Sequence, residues 1–196
     1  MGRIIEPNHS TGTIEKMVID HLNRGIERKN HPFKNFVLST TDGSMVDSRM
    51  VVLREHTNEP FILAAYTDIR SAKVDHLKNI PKASCLFWHP SAKLQVRVNA
   101  SAMISNRDRR SKQAFADSTS FGKVAYNTID APGSLLDDFE WKPAKLRDEF
   151  DADYFAILDF KVYHMDVLQL SREGHIRTKF TYDETGKCTD AAFVTP

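Results

Sequence analysis

Residues 36–54 have the sequence FVLSTTDGSMVDSRMVVLR, and this stretch decides the class of fold. Residues 36–40 and 48–54 are rich in β-branched and apolar side chains, which favour extended backbone. Between them stands Asp42-Gly43, a pair that suits the positive backbone angles of tight hairpin turns. The stretch therefore predicts an antiparallel β-hairpin.

The same patterns continue along the chain. Apolar residues at helical spacing predict an N-terminal amphipathic helix over about residues 13–29, and Pro32 ends it. Further helices are expected over 72–78, 107–117 and 143–150, and a long loop without a clear period over about 118–140. The remaining strand-like runs are 61–66, 83–88, 94–104, 155–160, 162–170, 176–182 and 191–194. Short strands with regular turn signals and few helices predict a mainly β protein with flanking helices, an antiparallel barrel or sandwich.

Composition limits the classes of function. The 196 residues are 41% hydrophobic and 27% charged, as in a folded domain, and we expect a single domain over residues 1–196. Lys and Arg number 27 against 26 Asp and Glu, a net charge of +1. Since no overall positive field exists, we expect no nucleic-acid or membrane partner, and any anion site must be local.

The cysteines and histidines lack the spacing of metal ligands, and the sequence shows no targeting signal. Cys85 and Cys188 form no CxxC pair, and the eight histidines form no HExxH motif, so we expect reduced thiols and no metal site. No apolar run is long enough to span a bilayer, and the polar N-terminus lacks a signal-peptide core. These features predict a cytoplasmic protein.

A set of basic and hydroxyl side chains surrounds the third strand and the helix after it. A phosphate dianion is bound by such a mixture, in which guanidinium and ammonium groups supply charge and hydroxyls donate hydrogen bonds. An ordinary capped surface helix with solvated cations is an equally good interpretation of the spacing alone. Arg49 and Arg54 also have opposite parity, so a regular strand would direct them to opposite faces. The set comprises Arg49, Arg54, Tyr66, Thr67, Arg70, Ser71 and Lys73.

A second candidate lies on the strand around residue 95. In KLQVRV, residues 93–98, Gln95 and Arg97 occupy the polar face of an otherwise apolar strand. An amide both donates and accepts hydrogen bonds, which suits the edge of a heteroaromatic ring. A solvent-facing sheet surface is the simpler interpretation of this alternation.

Four motifs in order resemble the pyridoxamine 5'-phosphate oxidase family. They are RMVVLRE at 49–55, AYTDIRSAK at 65–73, NIPKASCLFW at 79–88 and QVRVNASA at 95–102. The similarity covers about residues 31–104 and is closest to the branch whose N-terminal helix runs into HPF-x-NFVLST. The resemblance implies an FMN-binding split β-barrel that forms a homodimer with the flavin at the subunit interface.

The resemblance also implies roles for individual residues. Arg49 and Lys73 would hold the flavin phosphate, and Arg70 and Ser71 would flank it. Gln95 would reach the flavin ring from the partner subunit. Ala72 stands where the family often has a basic residue, so Arg70 would have to supply that phosphate contact. The remaining flavin contacts would come from Met50, Val51, Val52, Arg54, Tyr66 and Thr67.

The substrate side departs from the family pattern. Leu170 stands where the vitamin B6 oxidases carry a Trp against the flavin, and His175-Ile176-Arg177 replaces their Arg-x-His. Trp141 is a candidate cover for the site. We therefore expect a substrate other than pyridoxamine phosphate, because a cofactor site can persist while a substrate pocket is rebuilt.

These observations predict an FMN-dependent oxidoreductase that acts on an unidentified small molecule and passes electrons to an unidentified acceptor. Two alternatives stay open at this point. One is a non-catalytic flavin-binding protein for storage, electron carriage or sensing. The other is a split-barrel module that binds haem or a deazaflavin.

Overall fold

The computed structural model describes residues 3–135 and 145–196. Among these residues, no helix combines the length and apolar character that a membrane crossing requires. The α-helices are α1 (Thr11–Glu27), α2 (Ala72–Asn79), α3 (Arg109–Asp117) and α4 (Ser120–Val124), with a 3-10 turn at Pro32–Lys34. The strands are β1 (Asn35–Thr41), β2 (Val46–Val52), β3 (Glu55–Asn58), β4 (Phe61–Asp68), β5 (Lys82–His89), β6 (Leu94–Asn106), β7 (Phe155–Gln169), β8 (Ile176–Tyr182) and β9 (Cys188–Val194).

The sheet confirms the predicted mainly β, antiparallel architecture with flanking helices. Its hydrogen-bonded order is β2-β1-β5-β6-β7-β4-β3, and every pair is antiparallel. The 15-residue strand β7 pairs with β4 through its first half and with β8 through its second half, and β9 follows β8. Within the described ranges the ladder is open, because β2 and β3 end it without pairing with each other.

Helix α1 closes one side of the core. Ser10 caps it, with its hydroxyl accepting from the Thr13 amide, and Ile14, Val18 and Leu22 are fully buried at helical spacing. The buried rings of Phe33, Phe36, Phe87 and Phe160 fill the adjoining interior, and the Phe36 and Phe87 centroids are 4.9 Å apart. Burial of these large side chains contributes most of the stabilisation of the barrel, at about 25 cal/mol per Å² of apolar area.

Several predicted bounds were wrong. Polar residues 55–58 form strand β3, which is not among the predicted strands, since tertiary pairing with β4 supplies the hydrogen bonds that local propensity does not favour. The two strands expected over 155–160 and 162–170 form one strand, Phe155–Gln169. The loop 118–140 contains the short helix α4, and residues 145–150 are not helical. The rest of that loop (136–140), Trp141 and the start of the expected helix at 143–144 fall outside the described residues.

Candidate functional site

A cavity of about 320 Å³ opens beside β2, the end of β4 and the start of α2. It lies at the small end of the range for ligand sites, roughly 300 to 1,000 Å³. The structure brings most of the predicted set together here. The residues of that set that line the cavity are Arg49, Met50, Val51, Val52, Arg54, Tyr66, Thr67 and Lys73.

Arg49 and Arg54 share this cavity despite their opposite parity. Strand β2 ends at Val52, and the chain then leaves the ladder. The amide of Leu53 donates to Lys34 O over 2.8 Å, and that of Arg54 donates to Ala64 O over 2.8 Å. The two-residue link between β2 and β3 therefore breaks the alternation of a regular strand and directs both arginines to one site.

Lys73 forms the base of the cavity together with two hydroxyl groups. Its Nζ donates to Thr67 Oγ1 over 3.0 Å and to Ser71 Oγ over 2.9 Å. The Thr67 and Ser71 side chains are 6% and 3% exposed, and their hydroxyl oxygens lie 3.3 Å apart. Burial lowers the pKa of Lys73, and the nearby charge of Arg49 lowers it further, against an opposing effect of Asp68. This arrangement disfavours the lysine cation until an anion enters.

Arg49 completes the cationic side. Its Nη1 donates to Thr40 Oγ1 over 2.7 Å, and its Nη2 lies 3.1 Å from the exposed carboxylate of Asp47. Two half-buried cations, Arg49 and Lys73, thus adjoin one cavity with two buried hydroxyls. This donor set fits a phosphate group, which accepts several charge-assisted hydrogen bonds at once.

Tyr66 forms the opposite wall. Its hydroxyl donates to Glu55 Oε1 over 2.9 Å, while the Arg54 guanidinium lies 5.5 Å from its ring centroid. Burial and the Glu55 carboxylate raise the pKa of Tyr66, so the phenol stays neutral. A neutral aromatic ring beside a cation offers a flat, partly apolar surface to a planar ligand.

Arg70 and Gln95 are not brought to the cavity within one chain. Arg70 turns away to bind Asp68 and the backbone of residues 128–129. Gln95 lies on β6, where it pairs with Trp88 and Leu168. Ser71 is buried behind Lys73 and acts through it.

Four cavity residues were missed by sequence reasoning. Asp68 lay inside a quoted motif without an assigned role. Ala125, Tyr126 and Pro132 come from the aperiodic loop, where no local pattern shows which way a side chain will face. The Tyr126 ring packs edge-on against Phe155 at 5.0 Å, which places this segment against the barrel.

The three residues at which the chain departs from the family lie elsewhere. Leu170 and His175 share a cleft of about 660 Å³ with Trp88 and Lys93. Arg177 is engaged by Asp166, with Nε and Nη2 donating over 2.9 and 2.7 Å. The Asp166 carboxylate also accepts from Arg97 over 2.6 Å.

Three histidines that share no sequence motif lie close together in the fold. His21 of α1, His31 before the 3-10 turn and His89 at the end of β5 each bring a ring nitrogen within 4.8 Å of the others. Their hydrogen bonds disfavour a metal ion, however. Nδ1 of His31 accepts from the Phe33 amide and Nδ1 of His89 from the Ala92 amide, so the neutral rings carry their proton on Nε2. A metal-bound ring needs the reverse arrangement, with its second nitrogen donating.

Sequence comparison finds similarity to known proteins over part of the chain. Residues 15–106 match the family model described as pyridoxamine 5'-phosphate oxidase, FMN-binding domain. A pyridoxine/pyridoxamine 5'-phosphate oxidase of Pelagibacter ubique (strain HTCC1062) is 39% identical over 72 residues. That alignment covers 36% of this chain and 34% of the relative, so it spans about a third of each.

Two solved structures share the fold across most of the chain. A pyridoxamine 5'-phosphate oxidase-related, FMN-binding protein of Nostoc punctiforme PCC 73102 superposes with a TM-score of 0.73 at 16% identity, covering 92% of this chain and 97% of that one. PhzG of Burkholderia lata 383, solved with tetrahydrophenazine-1-carboxylic acid, gives a TM-score of 0.69 at 16% identity, covering 97% and 95%. The split-barrel fold is thereby confirmed, and residues 15–106, just under half of the chain, are similar to the FMN-binding domain of pyridoxamine 5'-phosphate oxidases.

Proposed function

We propose that this protein is an FMN-dependent oxidoreductase that binds the flavin phosphate between Arg49 and Lys73. The observation that carries the proposal is the convergence of these two cations and the Thr67 hydroxyl on one cavity, with the Ser71 hydroxyl bound to Lys73 behind it. An entering phosphate would offset the burial and the neighbouring Arg49 charge that lower the pKa of Lys73. The matched family model, which describes an FMN-binding domain, supports the choice of ligand.

The remaining cavity residues would hold and orient the ring system. Met50, Val51 and Val52 present backbone and apolar side chains along one wall, and Tyr66 presents its neutral ring at the other. Arg54, which lies beside Tyr66, would place positive charge near the ring. When bound, FMN supplies the redox chemistry, and the protein contributes orientation and electrostatics.

The test is a titration of the purified protein with FMN, followed by absorption and by quenching of flavin fluorescence. We expect saturable binding of one FMN per subunit. Lys73→Gln and Arg49→Gln should each weaken FMN binding ~10- to 100-fold through loss of a charge-assisted contact. Lys78→Gln is the matched control, because Lys78 is an exposed lysine of the same helix.

Unchanged FMN affinity in both cavity variants would contradict the proposed phosphate site. The same absorption spectrum tests the other cofactors. A Soret band in the purified protein would indicate haem. Displacement of bound FMN by an added deazaflavin, followed by the absorption of the deazaflavin, would indicate that cofactor instead.

We further propose that two copies of the chain complete the site. Met50 lines the cavity and is nevertheless 62% exposed on the edge strand β2, beside exposed Val46 and Met45. An apolar edge strand is usually covered in a stable protein, and a second copy carrying Gln95 would cover it while enlarging the small cavity. Light scattering should give a dimer, and Met50→Glu should reduce both the dimer mass and FMN affinity. A monomer that binds FMN with full affinity would contradict this arrangement.

A second candidate function is a flavoprotein without a substrate of its own. It is favoured by the bidentate ion pair of Arg177 with Asp166, which occupies the arginine that would otherwise meet a substrate. Chemical reduction of the bound FMN, followed by rapid mixing with oxygen and with candidate acceptors, separates the two functions. Reoxidation at about 1 s⁻¹ or faster that saturates with the concentration of a small-molecule acceptor favours the oxidoreductase, and reoxidation that shows no saturation with any small molecule favours the carrier or storage role.

A further inference from the structure

The side chain of Arg70 bridges two walls of the flavin cavity from behind. On one side it meets Asp68, which lines the cavity and is 4% exposed. Arg70 Nε donates to Asp68 Oδ1 over 3.0 Å, and Nη2 donates to Oδ2 over 2.7 Å. This paired contact holds the carboxylate at the end of β4, four residues before the start of the helix that carries Lys73.

On its other side Arg70 meets the segment 125–132. Nη1 donates to Ile129 O over 2.9 Å, and Nη2 donates to Thr128 O over 3.1 Å. These carbonyls belong to the loop that supplies Ala125, Tyr126 and Pro132 to the cavity wall. One guanidinium group thus connects β4 with a loop 58 residues away in sequence.

An aromatic ring fixes the plane of this guanidinium. The Arg70 Cζ atom lies 3.6 Å from the centroid of Tyr154, and Arg147 Cζ lies 4.6 Å from the same centroid. Arg147 belongs to the strand-like piece that pairs with the loop, where the amide of Arg147 donates to Asn127 O and that of Ile129 donates to Lys145 O, both over 2.9 Å.

These contacts leave Arg70 little capacity for a phosphate. A guanidinium has five N–H groups, and the contacts with Asp68, Ile129 and Thr128 use four of them. A single remaining N–H cannot make the paired contact by which arginine recognises phosphate.

We propose that Arg70 is a positioning residue that holds the segment 125–132 against the flavin cavity and does not itself bind the flavin phosphate. The proposal rests on the proposed function in taking the cavity as the flavin site. By ordering this loop before a ligand binds, Arg70 lowers the conformational entropy that is lost on binding. Lysine cannot replace it, because a single ammonium group cannot reach a carboxylate and two carbonyls in one plane.

The test compares Arg70→Lys and Arg70→Gln with Lys73→Gln, and measures the dissociation constants of FMN and of riboflavin, which lacks the phosphate. A positioning role predicts that both Arg70 variants weaken FMN and riboflavin by the same factor, about tenfold. Lys73→Gln should weaken FMN much more than riboflavin. Arg70 variants that selectively lose FMN would identify a phosphate contact and overturn the proposal, as would unchanged affinity for both flavins.

A flavin-free measurement separates this inference from the proposed function. Hydrogen exchange of the apoprotein should become faster in peptides that cover residues 125–132 in Arg70→Lys, while peptides from helix α1 stay as in the wild type. Unchanged exchange in 125–132 would overturn the positioning role even if FMN binds as proposed. Conversely, a wild-type protein that binds neither flavin would overturn the proposed function and leave the exchange result to decide on Arg70. Arg70→Lys keeps a cation beside buried Asp68, so it remains usable if Arg70→Gln does not fold.

Discussion

The ammonium group of Lys73 lies 3.0 Å from the hydroxyl oxygen of Thr67, across the junction between β4 and α2. Thr67 is the penultimate residue of β4 and has a buried hydroxyl, and Lys73 is the second residue of α2 and directs a half-buried cation at that hydroxyl. The hydroxyl and ammonium groups that would donate to a phosphate therefore lie on β4 and on α2, two regular elements. A site built in this way keeps its geometry before the ligand arrives.

The lowered pKa of Lys73 makes FMN binding depend on pH. In the free protein, burial and Arg49 lower the pKa of this lysine below its ordinary value, and a bound phosphate dianion should raise it again. Because binding then requires a protonated lysine, FMN affinity should fall as the pH rises through the pKa of the free lysine. Dissociation constants between pH 7 and 10 would show this decline, and Lys73→Gln should remove it. A decline that persists in the variant would assign the effect to another group.

Acid should destabilise the protein through its buried histidines. Burial lowers the pKa of His21 and of His56 to about 4, with His31 and His89 adding to the effect on His21. The unfolded chain binds these protons near pH 6.5, whereas the folded chain resists them until about pH 4. The contribution of these neutral histidines to the free energy of unfolding is therefore fully present above pH 6.5 and is lost as the pH falls from 6.5 to 4. We expect a loss on the order of 2 kcal/mol per site, after a discount for the partial exposure of both rings.

Urea unfolding at pH 7.5 and at pH 4.5 measures that loss, and His56→Gln should reduce it. Zinc at pH 7.5 provides the control for the cluster of His21, His31 and His89. Since the rings of His31 and His89 are arranged as donors at Nε2, zinc should leave the thermal midpoint unchanged. A zinc-dependent increase that disappears in His89→Gln would show that the rings rearrange to bind metal.

Two glycines of helix α1 should respond oppositely to alanine. A Cβ at Gly25 would lie 2.6 Å from Phe33 O and 2.8 Å from Phe33 C, both backbone atoms, whereas a Cβ at Gly12 would meet nothing within 4 Å. Gly12→Ala should stabilise by up to about 1 kcal/mol through helix propensity, while Gly25→Ala should destabilise by ~1–3 kcal/mol through overpacking. Urea midpoints of the two variants test this contrast. Equal stabilisation by the two substitutions would mean that Gly25 of α1 does not pack against Phe33 of the 3-10 turn as described.

The two thiols should differ in reactivity. Cys85 is fully buried in β5, and burial raises the pKa of its thiol, so almost no thiolate forms or is reached by solvent. Cys188 is only half-buried. A thiol reagent should therefore modify one cysteine slowly in the native protein and both in urea. Rapid modification of both without urea would contradict the packing around β5.

The sequence by itself determined what depends on local pattern. Alternating apolar residues and the Asp42-Gly43 turn predicted the β1–β2 hairpin, and helical spacing predicted α1 to within two residues of its observed bounds, Thr11–Glu27. The order of four motifs was enough to indicate an FMN-binding domain, because the contacts of Arg49 with Thr40 and of Lys73 with Thr67 join residues that lie close together in the sequence.

Only the tertiary structure decided contacts between distant segments. Arg70 lies within a motif, yet its direction is set by the carbonyls of Thr128 and Ile129 and by the ring of Tyr154, none of which is near it in sequence. The cluster of His21, His31 and His89 likewise arises from the packing of α1 against the end of β5. Side-chain direction follows local backbone only where the backbone is regular, and elsewhere the partner that satisfies each buried polar group determines it.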